Sequence, residues 1–241
     1  METKLKAGHE LIKVFNAIGH ITDEAMLCFK PSGLEIREMD NSNISMLSVA
    51  MQPSLLTEYV ANTEVKAGVN LENLNKMLKI LPKGAEFSIS ITDISLDIKA
   101  QNKAFKVPLI EYMPKTDKEP QVEFSTIISL NVSVFKNILK DLSAIGTIAH
   151  INTNSTTISF DAEGDVGSIN NQYDNLIKRS TEPITNLCFN IAEMQKLIKE
   201  ADKKSNIELY LKNGQPLKVV YELAGQKLKG FLAPYIESED G

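Results

Sequence analysis

No apolar run in the 241 residues approaches the roughly 18 needed to cross a bilayer, and METKLKAGHE at the N-terminus lacks the apolar segment of a signal peptide. A soluble intracellular protein is expected. There are only two cysteines, Cys28 and Cys188, each among apolar neighbours, which excludes a disulfide framework and points to buried reduced thiols. The three histidines, His9, His20 and His150, fall in no H-x-x-x-H or H-E-x-x-H spacing. There is no G-x-S-x-G, phosphate loop or dinucleotide fingerprint. The acidic stretch 161–167 (DAEGDVG) places its glycine fourth and Gln172 twelfth, so it fails as a calcium loop and reads as a strand end and turn. No enzyme, metal site or cofactor is expected. Nor is the chain broadly basic: its net charge of -5 means that a polyanionic partner needs a segregated basic surface.

What is present is a duplication. Residues 70–83 (NLENLNKMLKILPK) recur as 190–203 (NIAEMQKLIKEADK), 120 positions later. Apolar residues at helical spacing align, and so do three lysines: Lys76, Lys79 and Lys83 with Lys196, Lys199 and Lys203. Alternating strands follow each copy, FSISI at 87–91 and IELYL at 207–211. Further on, FKVPLI at 105–110 matches FLAPYI at 231–236. Upstream, LIKVFNAIG at 11–19 is matched with ILKDLSAIG at 138–146, which sets Lys13 against Lys140. Additional short strands are read at 25–29, 34–38, 44–51, 157–164 and 217–223. This is an α+β pattern of antiparallel sheets with four helices, in two similar domains. The boundary is placed at 112–123 (YMPKTDKEPQVE), whose prolines, mixed charge and scarce apolar residues suit a linker, leaving 1–111 and 124–241 as the domains.

A charged helix face is ordinarily the solvated side opposite a core, and one stripe alone proves nothing. Recurrence strengthens the case, although Glu193, Glu200 and Asp202 dilute the second copy.

With these segments in order, the chain resembles the archaeal and eukaryotic sliding-clamp family, that of proliferating cell nuclear antigen. The resemblance is carried by GLEIREMDNSNISMLSV at 33–49, NLENLNKMLK at 70–79, DLSAIG at 141–146 and FLAPYIESED at 231–240, and it spans essentially the whole chain. It implies the DNA clamp fold, with three two-domain subunits closing into a pseudo-sixfold ring whose helices line the hole. It further implies a processivity factor that encircles double-stranded DNA through its phosphate backbone, without sequence specificity. DNA polymerase, flap endonuclease, ligase and a clamp loader would dock through short peptide motifs. By this resemblance the DNA-facing residues are Lys13, Lys76, Lys79, Lys140 and Lys199, with Lys83, Lys136, Lys196 and Lys203 beside them. Gly19 and His20 stand where the family often has a basic residue. The subunit edges are assigned to Phe105, Val107 and Leu109 on one strand and Val166, Ser168 and Asn170 on another. The partner-peptide groove is assigned to Met39, Asn43, Ile44, Met46, Val122, Pro216, Phe231, Leu232, Ala233 and Pro234. The linker departs from the family pattern at Asp117, Lys118 and Glu119, which leaves Val122 as its clearest apolar contact and shifts the weight to polar contacts. Homotrimer and heterotrimer both remain open, as does a protein-binding scaffold that never holds DNA alone. The location is cytoplasm or nucleoid for an archaeal chain and nucleus for a eukaryotic one.

Overall fold

Alternating and helically spaced apolar residues resolve, in the computed structural model, into eighteen strands and four α-helices among the described residues, 3–82, 84–116, 118–154 and 156–236. The chain divides into two compact units, Met1–Glu119 with Leu223–Leu228, and Pro120–Glu222 with Lys229–Gly241. The first unit contains β1 (Thr3–Ala7), α1 (His9–Ile18), β2 (Glu24–Lys30), β3 (Gly33–Met39), β4 (Ser45–Met51), β5 (Glu58–Ala61) and β6 (Val65–Asn70). It continues through α2 (Leu71–Leu78), β7 (Phe87–Ile91), β8 (Ser95–Ala100) and β9 (Lys103–Pro108). The second repeats this order as β10 (Thr126–Asn131), α3 (Val132–Ser143), β11 (Ile148–Thr153), β12 (Thr157–Gly164), β13 (Gly167–Asp174), β14 (Ile177–Ser180) and β15 (Leu187–Asn190). It ends with α4 (Ile191–Leu197), β16 (Asn206–Leu211), β17 (Leu217–Leu223) and β18 (Gln226–Leu232). Two-domain duplication with antiparallel sheets and few helices is the architecture that the sequence implied.

Strand order repeats too. The first unit pairs β5-β1-β7-β8-β9 and β4-β3-β2-β6; the second runs β14-β10-β16-β17 and β13-β12-β11-β15. One face of each sheet supplies the core. In β7 Phe87 and Ile89 are buried, and in β16 Ile207, Leu209 and Leu211 are, while the intervening residues face outward.

Each helix covers its sheets with an apolar stripe: Leu71, Leu74 and Leu78 in α2, Ile191, Met194 and Leu197 in α4. Their starts are dictated locally. The Asn70 side chain accepts from Asn73 N at 2.9 Å and Asn190 from Glu193 N at 3.1 Å, which satisfies an otherwise orphaned amide at each helix start. Both helices are shorter than the repeated stretches. After Leu78 and Leu197 the chain tightens into turns, with Leu81 N bonded to Leu78 O and Ala201 N to Ile198 O, so that Leu81 and Ala201 still reach the core.

One alignment is corrected. Glu24 at the start of β2 pairs with Asn70, and Ile148 at the start of β11 pairs with Asn190. In that register the buried residues Leu11, Val14, Phe15 and Ile18 correspond to Phe135, Ile138, Leu139 and Leu142. Lys13 is therefore equivalent to Asn137, three residues before Lys140. The shared Ala-Ile-Gly is coincidental: Gly19 caps α1, whereas Gly146 lies beyond α3, against the Glu163 backbone.

The linker leaves β9 across its own unit. Ile110 N donates to Gly68 O at 2.9 Å, a close approach that only glycine permits because a Cβ there would sit 2.4 Å from the Ile110 oxygen. Beyond it, the Tyr112 hydroxyl donates to Glu38 Oε2 at 2.5 Å, Lys115 Nζ to Asp40 O at 2.8 Å, and Ser48 Oγ to Glu119 Oε1 at 2.7 Å. Asp117 lies outside the described residues.

Candidate nucleic-acid interface and docking surfaces

Within the first unit α1 and α2 pack together, and within the second α3 and α4 do. Lys13, Lys76, Lys79, Lys140, Lys196, Lys199 and Lys203 are all exposed, whereas Lys136 is half-buried. The structure then separates them by what they already hold. Lys76 pairs with Glu72 at 2.6 Å and Lys196 with Glu193 at 2.7 Å, each within one helical turn. Lys136 donates to the carbonyls of Lys199 and Ala201 at 2.8 and 3.0 Å, and burial, aided by Lys203 nearby, holds its ammonium pKa below the usual lysine value. It clamps α3 to the turn after α4, so its ammonium is already engaged within the second unit. Among the described residues, Lys13, Lys79, Lys140, Lys199 and Lys203 carry no acidic partner for their ammonium groups. Lys83 lies outside the described residues.

Among the described residues β5, β6, β9, β13, β14 and β15 are the terminal strands of their sheets, and β9 and β13 are the two assigned to the subunit edges. β9 pairs only with β8, and β13 only with β12, so each presents a row of unpaired amides and carbonyls. Val166 at the β12–β13 turn is 76% exposed, and Ser168 and Asn170 are exposed on β13, where Asn170 Nδ2 donates to Asp161. Phe105 and Leu109 are half-buried. Val107 is different: it is 1% exposed, pointing into the core of its own unit, so its side chain is removed from the edge set.

The residues assigned to a peptide groove fall in both units. In the first, the Asp40 carboxylate gathers Ile44 N at 2.8 Å, Ser45 N at 2.9 Å and Ser42 N at 3.2 Å, a local turn that the sequence MDNSNIS encodes. Asn43 adopts φ 60°, the left-handed region that asparagine tolerates. The turn exposes Asn43 and Ile44, half-buries Met39 and buries Met46. In the second unit Val122, Pro216, Ala233 and Pro234 are half-buried, while Phe231 and Leu232 are buried. Met46 and Leu232 thus serve their cores, and Phe231 is reached only through what lies over it. Tyr235 N donates to Cys188 O at 2.8 Å, which fixes the segment after β18 and leaves Tyr235 and Ile236 exposed.

Sequence reasoning missed Lys218. It stands opposite Tyr210 in the β16–β17 pairing, with its Nζ 5.0 Å from the Tyr210 ring, 5.9 Å from Phe231 and 6.0 Å from Phe124. Strand alternation in IELYL and LKVVYEL does put Tyr210 and Lys218 on an outward face, but nothing local brings Phe124 and Phe231 to them. Glu38 was missed for the same reason.

This geometry matches known proteins along its whole length. The proliferating cell nuclear antigen N-terminal domain model matches residues 1–132 and the C-terminal domain model residues 118–236. A DNA polymerase sliding clamp from Methanococcus maripaludis (strain S2) is 25% identical over 244 residues, covering 94% of this chain and 95% of that one. Proliferating cell nuclear antigen from Chaetomium thermophilum is 25% identical over 261 residues, covering 100% of both. Among solved structures, A. fulgidus PCNA bound to the C-terminal region of FEN-1 superposes with a TM-score of 0.90 at 24% identity, over 98% of this chain and 100% of that one. The crystal structure from Entamoeba histolytica gives 0.86 at 22%, over 97% and 99%. With both family models matched in order along a duplicated chain, the protein belongs to the proliferating cell nuclear antigen family of DNA sliding clamps.

Proposed function

We propose that the chain is one subunit of a trimeric ring that encircles duplex DNA and tethers enzymes to it. The observation that carries this reading is the duplicated helix pair, which sets lysines without acidic partners on solvent faces in a member of the clamp family. Duplex DNA presents roughly one phosphate charge per 1.7 Å of axis, so mobile point charges on such faces meet a dense anionic rod. Phosphate carries no direct sequence information, and a ring held by many weak contacts slides. Lys13, Lys79, Lys140, Lys199 and Lys203 take the principal role, Lys83 joins them by its place in the repeat, and Lys76 and Lys196 contribute once their carboxylates are exchanged for phosphate.

Residues 1–111 and 124–241 are assigned as the two clamp domains and 112–123 as their connecting linker. β9 and β13 are assigned as the strands that pair between neighbouring subunits, with Phe105 and Val166 as apolar contacts at the seam. The chain acts as a tether rather than a catalyst and works inside the cell, where the DNA is. The A. fulgidus clamp is seen with the C-terminal region of FEN-1; carried over to this chain, polymerase, flap endonuclease, ligase and clamp loader dock through short peptides, with Ile44 assigned to this role in the first unit and Val122 and Pro234 in the second.

Sedimentation of the purified chain and its retention on DNA circles test the reading. A trimer that is kept on a nicked circle and lost when the circle is cut supports it. A chain that stays monomeric, or that leaves circle and linear DNA at the same rate, overturns it; a trimer formed only with a second related chain replaces the homotrimer with a mixed ring. Ile44→Ala with Pro234→Ala should abolish stimulation of a clamp-dependent polymerase while the ring still loads.

A further inference from the structure

On the outward face of β16 and β17, an ammonium group sits among three aromatic rings. Tyr210 and Lys218 are cross-strand partners, Phe124 ends the linker, and the Phe124 and Tyr210 rings meet edge to face at 5.7 Å. Lys218 Nζ lies within 6.0 Å of the Phe124, Tyr210 and Phe231 ring centroids. Electron-rich ring faces attract a cation at such distances. Glu208, on the same strand as Tyr210, is already engaged: it accepts from Lys178 at 2.6 Å and from the Tyr210 hydroxyl at 2.8 Å. Among the described residues Lys218 has no carboxylate partner. A half-buried positive charge is thus balanced by ring quadrupoles alone, directly over Phe231, which is 3% exposed.

We propose that Lys218 is the charge-selecting residue of the partner-docking surface, favouring short peptides that bring a carboxylate beside an aromatic side chain. This rests on the tethering function proposed above, because Phe231 belongs to the surface assigned to partner peptides. The chemistry is complementary at both ends. An arriving aromatic ring takes the place of the ammonium against Phe124, Tyr210 and Phe231, and the displaced ammonium, still anchored by its aliphatic stem, meets the neighbouring carboxylate. A basic residue in that position is repelled by the same charge, which gives discrimination rather than mere adhesion. An aromatic platform alone accepts any apolar peptide; the unpaired cation is what commits the surface to an acidic one.

Two synthetic peptides test this, each with a glutamine, a spaced aliphatic residue and two aromatics, one carrying Asp and the other Ser next to the aromatic pair. The wild-type chain should bind the Asp peptide roughly fivefold to tenfold more tightly in low salt, as a charge-assisted contact warrants, and the preference should shrink at high salt. Lys218→Met, which keeps the stem, should erase the preference, so that the Asp and Ser peptides bind alike. Lys218→Arg should retain it, and Lys218→Glu should reverse it, with thermal unfolding confirming that each variant is folded. Equal binding of both peptides by the wild type, or a preference that survives in Lys218→Met, overturns the inference. Failure of the wild type to bind either peptide instead overturns the tethering site on which it rests.

Discussion

Asn75 of α2 reaches across to α1, its Nδ2 donating to the Phe15 carbonyl at 3.3 Å. The second unit repeats the contact, Gln195 Nε2 donating to Leu139 O at 3.2 Å. Each amide pins its helix pair at an equivalent turn, and so fixes how the lysine faces of the two helices are set. Asn75→Ala should cost about 1 kcal/mol, the net worth of one such bond, and Gln195→Ala a similar amount. Urea midpoints are the measurement. A change below a few tenths of a kcal/mol in both would leave the helix pairs held by apolar packing alone.

The paired and unpaired lysines should separate in DNA binding. Lys13→Ala, Lys79→Ala and Lys140→Ala together remove charges with no acidic partner, so association should weaken almost equally for all sequences and its dependence on salt should flatten. Lys76→Ala with Lys196→Ala should do less per residue, because Glu72 and Glu193 already compensate those charges. Salt titrations of binding to a fixed duplex decide it. Identical slopes in the wild type and both variants would return these helix faces to ordinary solvated surface.

The duplication was legible because it is local: Asn70 and Asn190 start their helices, and apolar spacing marks the buried stripe in each. The match of the first helices failed for the opposite reason. Ala-Ile-Gly recurs by chance, and only the pairing of Glu24 with Asn70 and of Ile148 with Asn190 shows the true register. The role of Lys136 was equally hidden, since the carbonyls that it holds lie far along the chain at Lys199 and Ala201. The intrahelical pair of Lys76 with Glu72 could be read from its spacing; the aromatic surroundings of Lys218 could not, because three separate segments, at Phe124, Tyr210 and Phe231, build them.

At the proposed seam, Phe105 and Val107 should behave differently. Phe105→Ala removes an apolar contact from the β9 edge and should weaken assembly by about 2 kcal/mol per interface, roughly thirtyfold in the association constant. Val107→Ala should instead loosen the first unit, because that side chain is 1% exposed within its own core. Sedimentation from nanomolar to micromolar concentration reports the first effect and thermal unfolding of the subunit the second. An unchanged trimer in Phe105→Ala at every concentration removes β9 from the seam.

Glu38 supplies a pH dependence. Its side chain is 1% exposed and fills the gap where β2 and β3 part: Oε1 accepts from Met26 N at 2.6 Å, and Oε2 accepts from the Tyr112 hydroxyl of the linker at 2.5 Å. Burial pushes its carboxyl from 4.5 up to about 7, although the bonds from Tyr112 and Met26 pull the other way. Between those values the folded chain keeps a proton that the unfolded chain has released. The contribution of Glu38 is therefore full below about pH 4.5, falls as pH rises toward 7, and is level above that. A shift of that size corresponds to about 3 kcal/mol across the window. Glu38→Gln carries no charge, with its amide oxygen accepting from Met26 N and its NH2 donating to the Tyr112 oxygen, so it should remove this slope, matching the wild type near pH 5 and exceeding its stability near pH 8. Urea unfolding at four pH values between 5 and 8 settles the claim; parallel stability curves for the two proteins would mean that Glu38 is ionised in the folded state throughout.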